Sequence, residues 1–552
     1  MIMAMHSWAG AQAPDVIYLY GTLATMDRSQ PAATALAIRG DRIVAVGSDA
    51  AMLALAGPQT VRVDLRQHFV MPGFNDAHVH LAMGGLAALN VPLDGCRSLA
   101  EMQSRIQAAA RRTPDGEWLT GRGWDQTLWP DSRVPTRQDL DVVTGHHPAF
   151  FARTDGHVAV VNSRALQMAA LTSASLAPEG GRIVHDALGQ PSGLLLEGAM
   201  DLVQSRIPPP TRARRREALT LALDDALRHG VTSVQDNSTW DDFLVLEELE
   251  RDGRLPVRVS EWLSFAAPLT TLQVERRRHA ADDPWLHTGM LKGFMDGSLG
   301  SRTAALLAPY ADDPRNAGLP QYLPAHLNVM ARERGDAGFQ LGFHAIGDRA
   351  VRMALDAFAA LSKPVAGVAG GMDPATMSGP RPRIEHLQVI AAEDIPRLHA
   401  LGVIASVQPN HLLTDMRWAE ARLGPERARR SYLWASLLRQ GVPLAFGTDY
   451  PVESISPFPG IYAAVTRRSL DQRQVYYPDE RLTREQALHA YTMGSALAEF
   501  SEMRKGSLTP GKLADFVVLS QDLRTVEASA IPQTTVLLTV VGGVVRYRAM
   551  GE

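Results

Sequence analysis

Apolar and polar positions change rhythm along the chain. Near the start, short β-rich runs at 16–20, 34–39, 42–46 and 61–65 are separated by turn residues, and Gly40-Asp41 between two of them is a hairpin signal. The same texture returns at 515–519, 536–541 and 544–547, around Gly542-Gly543. Each set is too small for a core of its own. The pattern therefore predicts one small β-sandwich built from both chain ends, 1–70 and 499–552. Two separate hairpin tails are the alternative.

Between these ends, short apolar runs alternate with amphipathic helical stretches, the mark of a parallel sheet wrapped by helices. Candidate strands fall at 69–72, 231–235, 257–262, 291–295, 340–343, 383–384, 403–407 and 444–446, with helices such as 211–229 and 350–361 between them. Eight strands is the number that closes a barrel. The expected class is α/β, a (β/α)₈ TIM barrel over 71–498. Residues 93–200 break the alternation and read as an insertion after the first barrel strand, placed to act as a lid over the barrel mouth. The small-residue stretch 365–380 reads as a surface loop.

Composition narrows the chemistry. With 45% hydrophobic and 21% charged residues the chain has ample material for a core, and a formal charge of −4 offers no polybasic surface for nucleic acid. No run reaches the length of a transmembrane span. The single cysteine, Cys96, excludes an internal disulfide and any thiol cluster, so a bound metal would need His and carboxylate. Lysine occurs only at 292, 363, 505 and 512, which makes a lysine inside a motif worth a question. Residues 1–13 end in Ala11-Gln12-Ala13, like a cleavage site, but lack a basic start and a long apolar run. A cytoplasmic location is expected; a periplasmic or secreted one follows if 1–13 is the remnant of a signal peptide.

Candidate chemistry collects at the strand ends. In Met71-Pro72-Gly73-Phe74-Asn75-Asp76-Ala77-His78-Val79-His80, the two histidines are two apart and so share one side of a strand. Further along, Lys292, His344, His386 and Asp449 each stand at or near the C-terminal end of a predicted strand, the face where barrel enzymes build their sites. Taken singly, each has an ordinary structural explanation; together at matching strand ends they point to a metal centre.

These motifs resemble the amidohydrolase superfamily and, within it, the YtcJ-like branch that includes N-substituted formamide deformylase. The resemblance rests on 72–80, on Lys-Gly-Phe-Met-Asp-Gly-Ser-Leu-Gly-Ser-Arg-Thr at 292–303, and on His-Ala-Ile-Gly-Asp at 344–348. Arg-Ile-Glu-His at 383–386, Gly-Thr-Asp-Tyr-Pro-Val at 447–452 and Gly-Lys-Leu-Ala-Asp-Phe at 511–516 extend it over nearly the whole chain. It implies metal ligands His78, His80, Lys292, His344, His386 and Asp449, with Asp449, Lys292 and His386 catalytic. Lys292 matches a position that carries a carboxylated lysine bridging two metals. One or two divalent ions, zinc first, are implied, and the activity implied is hydrolysis of an amide-type C–N bond by metal-activated water. A carbamate needs a neutral amine, which Lys yields far more readily than Arg beside cations. An unmodified Lys292 would instead pair with Asp449 or Asp296.

For the substrate, a small molecule, the residues singled out are Trp124, His157 and Arg302. Trp118, Trp124 and Trp129 cluster within the insertion and suit either a ligand pocket or packing of the lid. His157 in Arg153-Thr154-Asp155-Gly156-His157 is a substrate or proton-transfer residue, or a structural one. Gly297-Ser298-Leu299-Gly300-Ser301-Arg302 lacks the lysine of a phosphate loop and reads as a flexible loop at the barrel mouth. Rival readings are a deaminase, ester or phosphotriester hydrolase on the same barrel, and a catalytically inactive binding protein. Oligomeric state stays open, a homodimer among the options.

Overall fold

The computed structural model describes residues 13–178, 180–361 and 379–550. The expectation for residues 1–13 lies outside them except for Ala13, and that for 365–380 lies outside them up to residue 378. Eight strands form one parallel sheet: Phe74–Val79, Val231–Asp236, Arg258–Ser264, Leu286–Phe294, Leu341–Ala345, Arg383–His386, Ile404–Val407 and Leu444–Phe446. They are called barrel strands one to eight below. The sheet curls until its first and last strands meet. His80 donates its backbone N–H to Tyr450 at 2.7 Å, Asp449 donates to the His78 carbonyl at 2.7 Å, and Val79 bridges Tyr450 in parallel. Asp76 rivets the seam, accepting from the Thr448 backbone N–H (2.9 Å) and hydroxyl (2.6 Å).

The first strand differs from the sequence expectation. Phe69–Pro72 lies in another sheet, pairing antiparallel with Phe516–Leu519 and parallel with Thr22–Ala24. Barrel strand one begins at Phe74, so the chain changes sheets across Gly73. A Cβ there would sit 2.2 Å from the Thr232 side chain, so only glycine allows the crossing to hug barrel strand two. Two adjacent apolar runs look like one strand in sequence; long-range pairing splits them.

The sheet that takes Phe69–Pro72 combines both chain ends, in the order Val544–Arg548, Val536–Val541, Phe516–Leu519, Phe69–Pro72, Thr22–Ala24, Ala32–Ala33. It packs on a four-stranded sheet of Arg42–Gly47, Ala35–Arg39, Val16–Leu19 and Val61–Asp64. Leu36, Ile38, Val70, Phe516 and Val540 share the core between them, which is why neither end folds as a tail. Buried Arg258 at the start of barrel strand three forks onto Asp515 at 2.7 and 2.9 Å, fixing this sandwich to the barrel.

Between barrel strands one and two the insertion forms its own six-stranded sheet, from Val91–Pro92 to Pro191–Glu197, over cores that include Trp124, Trp129, Phe151 and Leu196 on one side and Phe150, Leu195 and Val203 on the other. The helix before barrel strand two, Arg212–Arg228, is capped by Thr211, whose hydroxyl accepts the Arg214 N–H. It buries Ala218, Leu219, Ala222, Leu223, Ala226 and Leu227, the repeating face that the sequence predicts. No helix of the described residues is long and apolar enough to cross a membrane.

Candidate active site

The strands deliver their terminal side chains to one cleft of about 330 Å³ at the C-terminal barrel mouth. His78, the penultimate residue of strand one, is fully buried, and His80 follows as the first residue beyond the strand. Their Nε2 atoms converge on one carboxylate oxygen, Asp449 Oδ1, at 3.4 Å from His78 and 3.0 Å from His80. The other face of each ring is held from behind: His78 Nδ1 lies 2.9 Å from Glu385 Oε2, and His80 Nδ1 lies 3.1 Å from the Asn237 carbonyl. Anchoring one ring nitrogen fixes the other toward the cleft, the arrangement of metal-ligating histidines. Glu385 is in turn held by buried Arg383, whose Nε donates to its other oxygen at 2.9 Å.

Two of the strand-end residues have left-handed backbone, His386 at φ 73° and Asp449 at φ 59°. Side-chain-bearing residues rarely take this conformation, and such strain gathers at functional sites. It turns the chain sharply as it leaves the strand. His386 Nδ1 lies 2.7 Å from Gln408 Oε1, and its ring stands edge-on to His344 at 4.5 Å between centroids. His344 Nε2 lies 3.1 Å from the Gly297 carbonyl. Lys292 is buried on strand four with Nζ 2.9 Å from His78 Nε2 and 5.0 Å from the ring centres of Trp262 and Phe294.

Burial sets the charges. It holds His78, His344 and His386 well below the usual imidazole range, leaving them neutral and able to ligate. It also pushes the Lys292 ammonium down to about 8, against the pull of Glu385 and Asp449. For Asp449 burial acts the other way, but it is outweighed by His78, by the hydrogen bond from His80 and by His386, which hold the carboxyl well below the usual carboxylate range. Asp296 does not pair with Lys292. It accepts three backbone N–H groups, from Ala305, Ile346 and Gly347 at 2.8–3.1 Å, and burial pushes it up to about 7.

Neutral imidazoles around an anionic carboxylate, without thiols, make a donor set for a divalent cation. His78, His80 and Asp449 have ligand atoms within 4.8 Å of one another, and so do His386, His411 and Asp449. Asp449 Oδ1 and His411 Nε2 are both buried without a hydrogen-bond partner, a state that a bound cation relieves. The residues fit a metal.

His411 is a residue the sequence reading missed. It lies in the helix Pro409–Asp415 that follows barrel strand seven, with Nε2 3.6 Å from Asp449 Oδ2 and its ring stacked on His386 at 5.8 Å. Its signal was a histidine four residues beyond a predicted strand end, weaker than one on the strand.

The substrate candidates divide. His157 lines the cleft, 5.2 Å from the His344 ring, with Nδ1 3.0 Å from Glu197 Oε2. Burial opposes its charge, but Glu197, then Asp155 and Asp296, push it up to about 9, so it stands as an imidazolium. Trp124 and Arg302, both expected against substrate, do not line the cleft. Trp124 is wholly buried in the insertion core, where its indole N–H donates to the Phe151 carbonyl at 2.8 Å. Arg302 turns its guanidinium onto Asp312 at 2.9–3.1 Å, away from the site. The Gly-Ser loop contributes Ser298, Leu299 and Gly300 to the lining. Hydroxyls of Ser298 and Ser301 donate to Asp155 at 2.6 and 2.5 Å, clasping the insertion to the barrel.

Comparison with known proteins bears on the whole chain. Residues 62–547 match the model of the Amidohydrolase family. The Arabidopsis thaliana protein LONG AFTER FAR-RED 3 is 37% identical over 96% of this chain and 91% of its own length. Bacillus subtilis YtcJ is 31% identical over 89% and 91%, and the N-substituted formamide deformylase of Arthrobacter pascens is 26% identical over 98% and 100%. Among solved structures, an uncharacterized metal-dependent hydrolase from Pyrococcus horikoshii superposes with a TM-score of 0.75 at 28% identity, covering 93% of this chain and 99% of that one.

Proposed function

Since the chain belongs to the amidohydrolase family and is a metal-dependent hydrolase, we propose that it cleaves an amide-type C–N bond, with N-substituted formamides among its substrates. One observation carries the reading: the buried carboxylate of Asp449 stands 3.0 Å from His80 Nε2 and 3.4 Å from His78 Nε2. A base so placed can accept a proton from water and return it to a departing nitrogen, which leaves only once protonated. Similarity to a formamide deformylase supports the C–N bond.

The metal, zinc by this donor chemistry, would be held by His78, His80 and Asp449, with His386 and His411 forming a second group on Asp449 and His344 beside them, and when bound would acidify water and polarise the scissile carbonyl. The remaining work falls to the chain. Glu385 and Asn237 fix which nitrogens of His78 and His80 face the cleft. His157, as an imidazolium held by Glu197, is placed to donate a hydrogen bond to the substrate carbonyl. Lys292, buried among the ligands, is the residue for a carbamate: its neutral amine adds to CO₂, forming the N–C bond and releasing one proton. The carbamate would add an anionic oxygen donor to the histidines that would hold the metal.

The test is a screen of N-substituted formamides, longer amides and esters with zinc-loaded protein. Turnover of amides above esters is expected. Hydrolysis of esters or phosphotriesters alone would reject the C–N reading.

A further inference from the structure

The acids that line the cleft are not equally matched. Arg153 pairs with Asp125 at 2.7 Å and Asp155 at 2.6 Å, and Asp449 has the imidazoles. Two others, Asp415 and Glu453, line the same cleft and have no ion-pair partner within 4 Å among the described residues. Asp415 ends the helix after barrel strand seven and is 8% exposed. Its Oδ2 accepts the Tyr432 hydroxyl at 2.5 Å, while Glu453 Oε1 accepts the Thr414 hydroxyl at 2.7 Å. Arg153 and then Arg417 act on Asp415 from beyond ion-pair distance, and Arg417 acts on Glu453 as well; Arg153 is turned to Asp125 and Asp155, and Arg417 to the Thr414 carbonyl at 2.9 Å and Asp125 at 3.5 Å. Burial accordingly pushes Asp415 up to about 7 and Glu453 up to about 8.

Placing two carboxyl groups in one cleft with no cation in ion-pair contact is costly, and a ligand that brings one lowers the cost. Their position also says which end of a substrate they meet. Glu453 follows Asp449, the proposed proton donor to the departing nitrogen, by four residues, and Val452 between them also lines the cleft. His157 stands instead beside His344, where an imidazolium suits a carbonyl oxygen and repels a cation. Trp418, whose backbone N–H donates to the Asp415 carbonyl at 3.0 Å, adds an aromatic group to the lining.

We propose that Asp415 and Glu453 form the leaving-amine subsite, and that preferred substrates are amides whose amine portion carries a second, positively charged nitrogen. The inference rests on the amide reading above. Asp415 and Glu453 grip the distal ammonium through charge-assisted hydrogen bonds, while the scissile carbonyl lies toward His157.

The experiment compares N-(4-aminobutyl)formamide, cationic at neutral pH, with uncharged N-pentylformamide of similar length. Binding is measured by calorimetry on metal-loaded Asp449→Asn protein, and turnover on the metal-loaded native chain. The cationic compound should bind roughly tenfold tighter or better, the order expected of a charge-assisted hydrogen bond, and kcat/KM should follow. Glu453→Gln and Asp415→Asn should each remove most of that preference. Glu453→Lys should turn it toward a formamide bearing a terminal carboxylate, which a merely damaged pocket would not do. Equal binding of the two compounds, or a preference that survives both neutral substitutions, overturns the subsite. Preferential binding without hydrolysis of either compound leaves the subsite standing and rejects the amide reading.

Discussion

Two regions build the cleft by different means. The barrel contributes side chains from the ends of hydrogen-bonded strands, where one residue's position fixes its neighbours. His78, Lys292, His344 and His386 lie within such strands and Asp449 just past one, and almost every atom behind them is buried. The insertion has its own sheet and cores, keeps Trp124 and Trp129 for them, and gives the site the short run 153–157 with Asp125. It is held in register by a clasp, Asp155 on Ser298, Ser301 and Arg153. The metal-ligand candidates thus all come from the barrel, while the insertion adds His157 and the clasp that holds it in place, so damage to the two should be separable.

The sharpest break on the barrel side is Asp449→Asn. The amide has the carboxylate's shape but cannot take a proton, so turnover on a verified substrate should fall about 10²–10⁴-fold, with thermal unfolding little changed. Near-normal kcat would remove Asp449 from proton transfer.

Lys292→Ala should come next. Loss of a bridging carbamate would lower metal content from two ions toward one, and kcat by roughly 10²-fold. Short carboxylic acids should restore part of both, and native protein should lose the mass of CO₂ on acidification. A fully metal-loaded native protein with a plain amine at Lys292 would reject the bridge.

On the insertion side, Asp155→Asn should cost about 3 kcal/mol, the order for breaking a buried charge pair, and should raise KM more than it lowers kcat. The pH dependence has a definite sign. Burial opposes the charge of Asp155, but Arg153, His157, Ser298 and Ser301 hold its carboxyl well below the usual carboxylate range. Its stabilisation is therefore present above the unfolded value of about 4 and is lost as pH falls below it toward the folded one. Proteolysis within 91–197 on acidification, before the barrel unfolds, would report the clasp opening; Asp155→Asn should show this susceptibility already at neutral pH.

The smallest effect is expected where the sequence pointed and the fold did not. Trp124→Phe should cost about 1 kcal/mol for the lost hydrogen bond to Phe151, read as a lower unfolding temperature, with kcat/KM ratios among substrates unchanged. A shift in substrate preference would place Trp124 against the ligand after all.

The sequence by itself determined the architecture and the chemical character of the site. A side chain at the end of an apolar run in an eight-strand alternation must sit at one end of a parallel barrel, because strand period and chain direction are local properties. That made Lys292, His344, His386 and Asp449 legible, while His78 and His80 were legible from their His-x-His spacing, the run at 69–72 having gone to the other sheet. Tertiary structure decided what local pattern leaves free. Phe69–Pro72 and Phe74–Val79 are equally good strands, and only pairing with Phe516–Leu519 sends the first into the sandwich. A tryptophan gains by burial wherever apolar surface surrounds it, so Trp124 could not be assigned to a pocket or a core until the insertion sheet closed around it. His411, Asp415 and Glu453 reach the cleft from a helix and a loop, where no alternation marks the inward side, and their exposure to one another follows from packing between segments far apart in the chain.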